Sequence, residues 1–166
     1  MDEKLIRENL EAMRTILIAH VPFARALGME IIDAKPAEAW MRVPYADALV
    51  GNPDTGVIHG GVITAALDNV SGVAVQLALS ERMAIATLDL RIDYMRPATP
   101  HKDLTAHAHC YKVTRNIAFV RSTAYHDDME DPIATSVGAF MLAANRAEPP
   151  SSAGPDDMSR LLAKEV

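Results

Sequence analysis

The chain has 166 residues and a net charge of −6, from 16 Lys and Arg against 22 Asp and Glu. That length holds one ordinary domain, and 49% hydrophobic with 23% charged residues is a folded composition, not a disordered one. The acidic balance argues against non-specific binding to nucleic acid or anionic lipid. A single cysteine, Cys110, excludes an intrachain disulfide and a multi-cysteine zinc site. The longest stretch free of Asp, Glu, Lys and Arg, 132–145, falls short of the about 20 apolar residues a spanning helix needs, so no membrane span is expected.

In chain order, Leu5, Ile6, Leu10, Met13 and Leu17 follow helical spacing and predict an amphipathic helix over 2–20. Asp2, Glu3, Lys4, Arg7, Glu8, Glu11 and Arg14 break every apolar run there, so no signal-peptide core forms and the cytoplasm is the expected compartment. Pro22 either ends that helix or marks a second short turn over 23–27, stopped by Gly28. Residues 29–34 and 38–44 read as strands joined around Lys35-Pro36. Residues 45–57 hold Gly51, Asn52, Pro53, Asp54 and Gly56 and read as a loop. Over 59–80, Ile63, Leu67, Val70, Ala74 and Leu77 form one helical stripe on a helix with few polar residues, which predicts burial on most sides. Four β-like runs follow, 84–95, 104–113, 118–127 and 133–144, separated by Arg96-Pro97, by Thr114-Arg115-Asn116 and by the breakers of 128–132. Pro149, Pro150, Ser151, Ser152, Gly154 and Pro155 predict a loose tail with one helical turn at 158–164.

No strand–helix–strand alternation occurs, so a doubly wound parallel sheet is not expected. The order predicts an α+β fold: an antiparallel sheet of five or six strands wrapped around one central helix, with an extra N-terminal helix. The expected division is an N-terminal helical segment over 1–28, the sheet domain over 29–145, and a flexible tail over 146–166.

The segment from Asn52 to Gly72 carries the chemistry. Gly60 and Gly61 open the central helix, although each disfavours helix by up to roughly 1 kcal/mol relative to Ala. A lone Gly-Gly is most simply the end of a loop. Bare N–H groups at a helix N-terminus also lack intrahelical partners and lie at the positive end of the helix dipole, where they can stabilise a developing oxyanion. Asp68 sits among Ala65, Ala66, Leu67 and Val70, an expensive place for an unpaired carboxylate. Gly61, Thr64, Ala65, Asp68 and Gly72 share a helical face on which all but Asp68 are small, so a ligand can approach the carboxylate. A rise of 1.5 Å per residue puts Gly60 and Asp68 about 12 Å apart. If both act on one bond, two chains must contribute, which predicts a homodimer with shared sites.

The run His59-Gly60-Gly61 followed by Asp68 resembles the HGG…D signature of the hotdog-fold acyl-CoA thioesterases, in the phenylacetate-pathway (PaaI-like) branch. The likeness continues through Thr87–Ala98 and Tyr125–Leu142 and covers roughly residues 25–145. It implies that Asp68 is the nucleophile or the general base toward water, and that the Gly60 N–H polarises the thioester carbonyl. His59 would shape the helix start, and Thr87 would help place the attacking water. Asn52, seven residues before His59 rather than six, is the match to an asparagine of the preceding loop. The resemblance further implies an acyl-CoA substrate contacted by Gly61, Thr64, Gly72, Arg115 and Asn116, and a homodimer or a dimer of dimers. No metal or redox cofactor is implied.

Arg91 and Arg96 are weaker candidates for the coenzyme A arm. His107 and His109 share a strand face, but two ligands do not make a metal site, and a solvated face is the simpler reading. Cys110 is expected to pack inside. Nine Met would suit an adaptable acyl pocket or ordinary core filling. The competing functions are a non-catalytic acyl-CoA-binding or regulatory hotdog protein, and a hydratase on a related fold. The hydratase needs an acid and a histidine together, whereas His59 and Asp68 fall on nearly opposite sides of a helix.

Overall fold

The structure, a computed structural model, describes Arg14, Ile18 and residues 21–143. The rest of the helix expected over 2–20, and the tail with its turn at 158–164, lie outside the described residues. Pro22–Ala26 form a five-residue helix, α1. It ends where Gly28 takes a φ of 65°, with the Gly28 N–H on the Arg25 carbonyl and the Met29 N–H on the Ala24 carbonyl. Two strands follow, β1 (Glu30–Lys35) and β2 (Glu38–Val43), with Ala37 in the left-handed region at the turn between them.

Residues 45–57 are not all loop. They hold a 3-10 turn (Asp47–Leu49) and two short paired strands, β3 (Val50–Asn52) and β4 (Val57–Ile58, which ends one residue beyond). Strands of three and two residues are too short to show a period in sequence. Gly51 is needed for close approach: a Cβ there would lie 2.8 Å from the His59 Cα, so only a bare backbone passes.

The central helix, α2, spans Gly60–Ala78. The remaining strands are β5 (Ile85–Tyr94), β6 (Leu104–Val113), β7 (Ile117–Tyr125) and β8 (Ala134–Leu142). Six strands make one sheet in the order β1-β2-β6-β7-β8-β5, every neighbouring pair antiparallel. This is the α+β hotdog architecture expected from the sequence.

The inward positions of the sheet are largely small: Ala39, Ala106, Ala108, Ala118, Ala124 and Ala134 are all buried. Small residues on the sheet make room for large ones on the helix, and Ile63, Leu67, Val70, Val75 and Leu77 fill it. Each such burial is worth about 1.5–3 kcal/mol. Buried hydroxyls of Ser71, Ser122 and Ser136 run as a hydrogen-bonded chain from α2 into β7 and β8, so these three polar groups are satisfied, whereas Gln76 Oε1 is buried without a partner among the described residues.

With Asp68 its only charge, α2 is long and apolar enough, by length and composition, to cross a membrane. Counting charge-free runs missed it, because Asp68 splits the run. Most of the helix, 61%, is buried inside the protein, so its apolar character serves the core. The helix packs chiefly on β2, β6 and β7 and touches β8 and β5 more lightly. One side of α2 therefore stays open beside β5, one of the two edge strands.

Cys110 is buried as expected, and burial pushes its thiol pKa up. Only the thiolate alkylates readily. At neutral pH iodoacetamide is expected to label the denatured protein and to spare the native one, read by intact mass. Stoichiometric labelling of the native protein at the rate of free cysteine would contradict this packing.

Candidate active site

The start of α2 is held from several directions. His59 is the N-cap, at φ −65° and ψ 136°, and its Nδ1 accepts the Gly61 N–H at 2.9 Å. With Nδ1 accepting, the ring proton of the neutral imidazole belongs on Nε2, an assignment made from hydrogen-bond geometry. The His59 carbonyl accepts the Val62 N–H at 2.9 Å, and the His59 N–H donates to the Leu49 carbonyl at 2.8 Å. Among these first-turn donors the Gly60 N–H is left without a hydrogen bond among the described residues. A free donor at the positive end of a 19-residue helix suits an oxygen that gains negative charge.

Two turns along α2, Asp68 is half-buried and its Oδ1 accepts a 2.8 Å hydrogen bond from the Thr87 hydroxyl of β5. The structure thus brings together two residues that are 19 apart in sequence. Tyr94 donates its hydroxyl to the Gly60 carbonyl at 2.9 Å, and the Thr64 hydroxyl lies 2.9 Å from the Tyr94 oxygen and 3.2 Å from the Gly60 carbonyl, its one proton serving one of the two at a time. Tyr94 is a residue the sequence reading missed. Its signal was weak: an aromatic with a polar tip at the end of a strand, just before Arg96-Pro97.

The other expected site residues stand further off or are otherwise engaged. Asn52 closes the β3–β4 turn: its Oδ1 accepts the Asp54 N–H at 3.0 Å and its carbonyl accepts the Gly56 N–H at 2.9 Å. Gly61 is exposed, but its N–H is spent on His59. A Cβ on Gly72 would meet Ile85 and Phe140 at ordinary contact distances, so Gly72 belongs to the helix–sheet packing. Arg115 and Asn116 lie exposed in the β6–β7 turn. Cross-strand pairing of Thr87 with Phe140, and of Phe140 with Ala118, puts that turn at the same end of the sheet as Thr87.

Arg91 pairs with Asp93 at 2.9 Å, and Arg96 pairs with Asp131. His107 shares the outer sheet face with exposed His109 but is itself largely covered: it stacks on Trp40 with ring centres 4.3 Å apart and its Nε2 lies 3.0 Å from Glu38. Trp40 is its direct cross-strand neighbour on β2, a pairing only the fold reveals. His109 is exposed, and no group of three metal-binding side chains occurs among the described residues.

Beside the α2 N-terminus a cavity of about 430 Å³ is lined by Phe23 of α1 and Leu27 just after it, by Leu49 and Val50, and by His59, Gly61 and Val62. It is mostly apolar and sits next to the free donor.

Residues 55–133 match the family model described as "Thioesterase superfamily". YigI of Escherichia coli, named a medium/long-chain acyl-CoA thioesterase, is 30% identical over 148 residues, which cover 81% of this chain and 94% of YigI. The chain belongs to the thioesterase superfamily. It is a thioester hydrolase of the PaaI-like hotdog type. Among solved structures, a Pseudomonas aeruginosa protein is 44% identical with a TM-score of 0.72, covering 80% of this chain and 97% of that one. The Escherichia coli PaaI protein from the phenylacetic acid degradation operon superposes with a TM-score of 0.72 at 19% identity, over 87% of this chain and 97% of PaaI, a likeness of fold. As a thioesterase the chain needs a donor for the carbonyl oxygen and a group to bring in water. The free Gly60 N–H and the Thr87-held Asp68 have the chemistry for these two tasks.

Proposed function

We propose that this thioesterase hydrolyses an acyl-coenzyme A to a free acid and coenzyme A, using Asp68 and the Gly60 N–H. The observation that carries the reading is the pairing of a carboxylate, fixed by Thr87 at 2.8 Å, with a helix start whose Gly60 N–H is unspent. The carbonyl oxygen of the thioester lies on the Gly60 N–H. Asp68 either takes a proton from water as it adds to the carbonyl carbon, or adds itself to form an anhydride that water then opens. The C–S bond breaks, the electron pair leaves on sulfur, and the thiolate is protonated. Either route needs the oxyanion held while the tetrahedral centre exists.

The acyl chain occupies the cavity beside His59. Arg115 and Asn116 are assigned to the phosphates or pantetheine arm of coenzyme A. Asn52 is retained as a residue of the adjoining wall, with Asp54 holding its side chain. About 12 Å of helix separates Gly60 from Asp68, which supports sites shared between two copies of the chain. β5 offers a ten-residue open edge bearing exposed Leu88 and Tyr94, beside the open face of α2, and a second copy there would cover both. The cytoplasm is the proposed compartment, in keeping with the lone cysteine.

Free-thiol release across a panel of acyl-CoAs tests the reading. Turnover is expected with chains long enough to fill the cavity, and a folded protein that binds acyl-CoA without releasing thiol would favour the regulatory alternative. Leu27→Trp should narrow the cavity. Its kcat/KM is expected to fall about tenfold or more for the longest accepted chain relative to the shortest. An unchanged chain-length profile would move the acyl group elsewhere.

A further inference from the structure

Gly60 is the most freely rotating residue type at the position where a catalytic N–H must keep one direction. Four contacts restrain it. The peptide before it is fixed at its carbonyl end, because the His59 oxygen accepts the Val62 N–H. The peptide after it is held at both ends: the Gly61 N–H donates to His59 Nδ1 at 2.9 Å, and the Gly60 carbonyl accepts from the Tyr94 hydroxyl at 2.9 Å. The Thr64 hydroxyl closes a triangle with these two oxygens. Of these restraints on the Gly60 peptides, only the Tyr94 bond reaches α2 from a distant strand, 34 residues on. The Tyr94 ring also lies over the Gly60 Cα, where a Cβ would meet its hydroxyl at 3.5 Å and its ring carbons at 3.8 Å.

The same strand supplies Thr87, which holds Asp68. A β-bulge between Thr87 and Asp89 makes this possible. Thr87 and Tyr94 are seven apart, so a regular strand would turn them to opposite faces. The extra residue, Leu88, resets the alternation, and both then point toward α2.

We propose that Tyr94 is a positioning residue for this thioesterase: its hydroxyl anchors the Gly60–Gly61 peptide to β5 and thereby aims the Gly60 N–H. The proposal rests on the reading of Gly60 as the oxyanion donor. Removing such a donor costs about 10²–10³ in turnover, and leaving it present but free to swing should cost part of that.

The test is Tyr94→Phe, which keeps the ring over Gly60 and deletes only the hydroxyl. It is expected to lower kcat about tenfold or more, with KM for a good acyl-CoA within twofold of wild type. A purely structural hydroxyl would lower the melting temperature and leave kcat per folded molecule alone. Amide exchange gives a second readout that needs no turnover: the Gly61 N–H, protected by His59, should exchange several-fold faster in Tyr94→Phe. Unchanged kcat overturns the proposal, whatever Gly61 exchange does. A fall in kcat with unchanged Gly61 exchange also overturns it, because the hydroxyl then acts otherwise than by holding this peptide. A wild-type protein that releases no thiol defeats the function proposed above instead, and the exchange rate of Gly61 then decides alone whether Tyr94 anchors the peptide.

Discussion

Asp68→Asn is expected to lose at least about 10²-fold in turnover while remaining folded. The substitution isolates one property. The amide oxygen can still accept the hydroxyl proton that Thr87 gives Asp68 at 2.8 Å, so position and packing are preserved. What disappears is the ability to take a proton from water or to attack a carbonyl carbon. Asp68→Ala should be equally inactive. It also removes a carboxylate from a helix in which Ala66 and Leu67 are buried, so its melting temperature should not fall. Steady-state thiol release beside circular dichroism checks both points. Turnover within threefold of wild type in either variant would remove Asp68 from the chemistry and return the protein to the binding alternative.

How far this site could be read in advance depended on whether its parts were local in sequence. The boundaries of α2 and of the four long strands fall within a residue or two of the expected ones, because prolines, glycines and polar turns punctuate them and their inward positions alternate. His59, Gly60 and Asp68 lie on one segment, so helical geometry related them. Tyr94 and Thr87 could not be related that way. Their shared face depends on the bulge at Leu88, and a bulge breaks the period-2 rule from which strand faces are inferred. The cavity escaped for a similar reason. It forms only when α1 lies beside the turn at Leu49 and the start of α2, and no period in the sequence joins those segments. His107 looked solvated because its own strand alternates polar and small residues. The ring that covers it, Trp40, arrives from β2 through the antiparallel register.

Gly60→Pro is expected to cost about 10²–10³ in turnover, and its local fit makes that loss interpretable. Proline belongs at the first position of a helix, where the missing N–H has no intrahelical partner. It restricts the preceding residue to extended conformations, and His59 already sits at φ −65° and ψ 136°. A Cβ at position 60 has 3.5 Å to the Tyr94 hydroxyl, an ordinary contact, and the Gly60 carbonyl that Tyr94 and Thr64 hold is retained. The variant therefore deletes the proposed donor and little else. Mixing it with Asp68→Ala subunits tests the shared site. Because about 12 Å of helix separates the two positions, each site should combine the Gly60 N–H of one copy with the Asp68 of the other. In a mixed dimer both defects can then fall in one site, which leaves the second site intact. Two nearly inactive homodimers should give a heterodimer with about half of wild-type activity. If mass spectrometry confirms subunit exchange and no activity returns, the two residues act within one chain or one of their roles is misassigned. A Gly60→Pro protein that folds and turns over at the wild-type rate would separately exclude the Gly60 N–H as the donor.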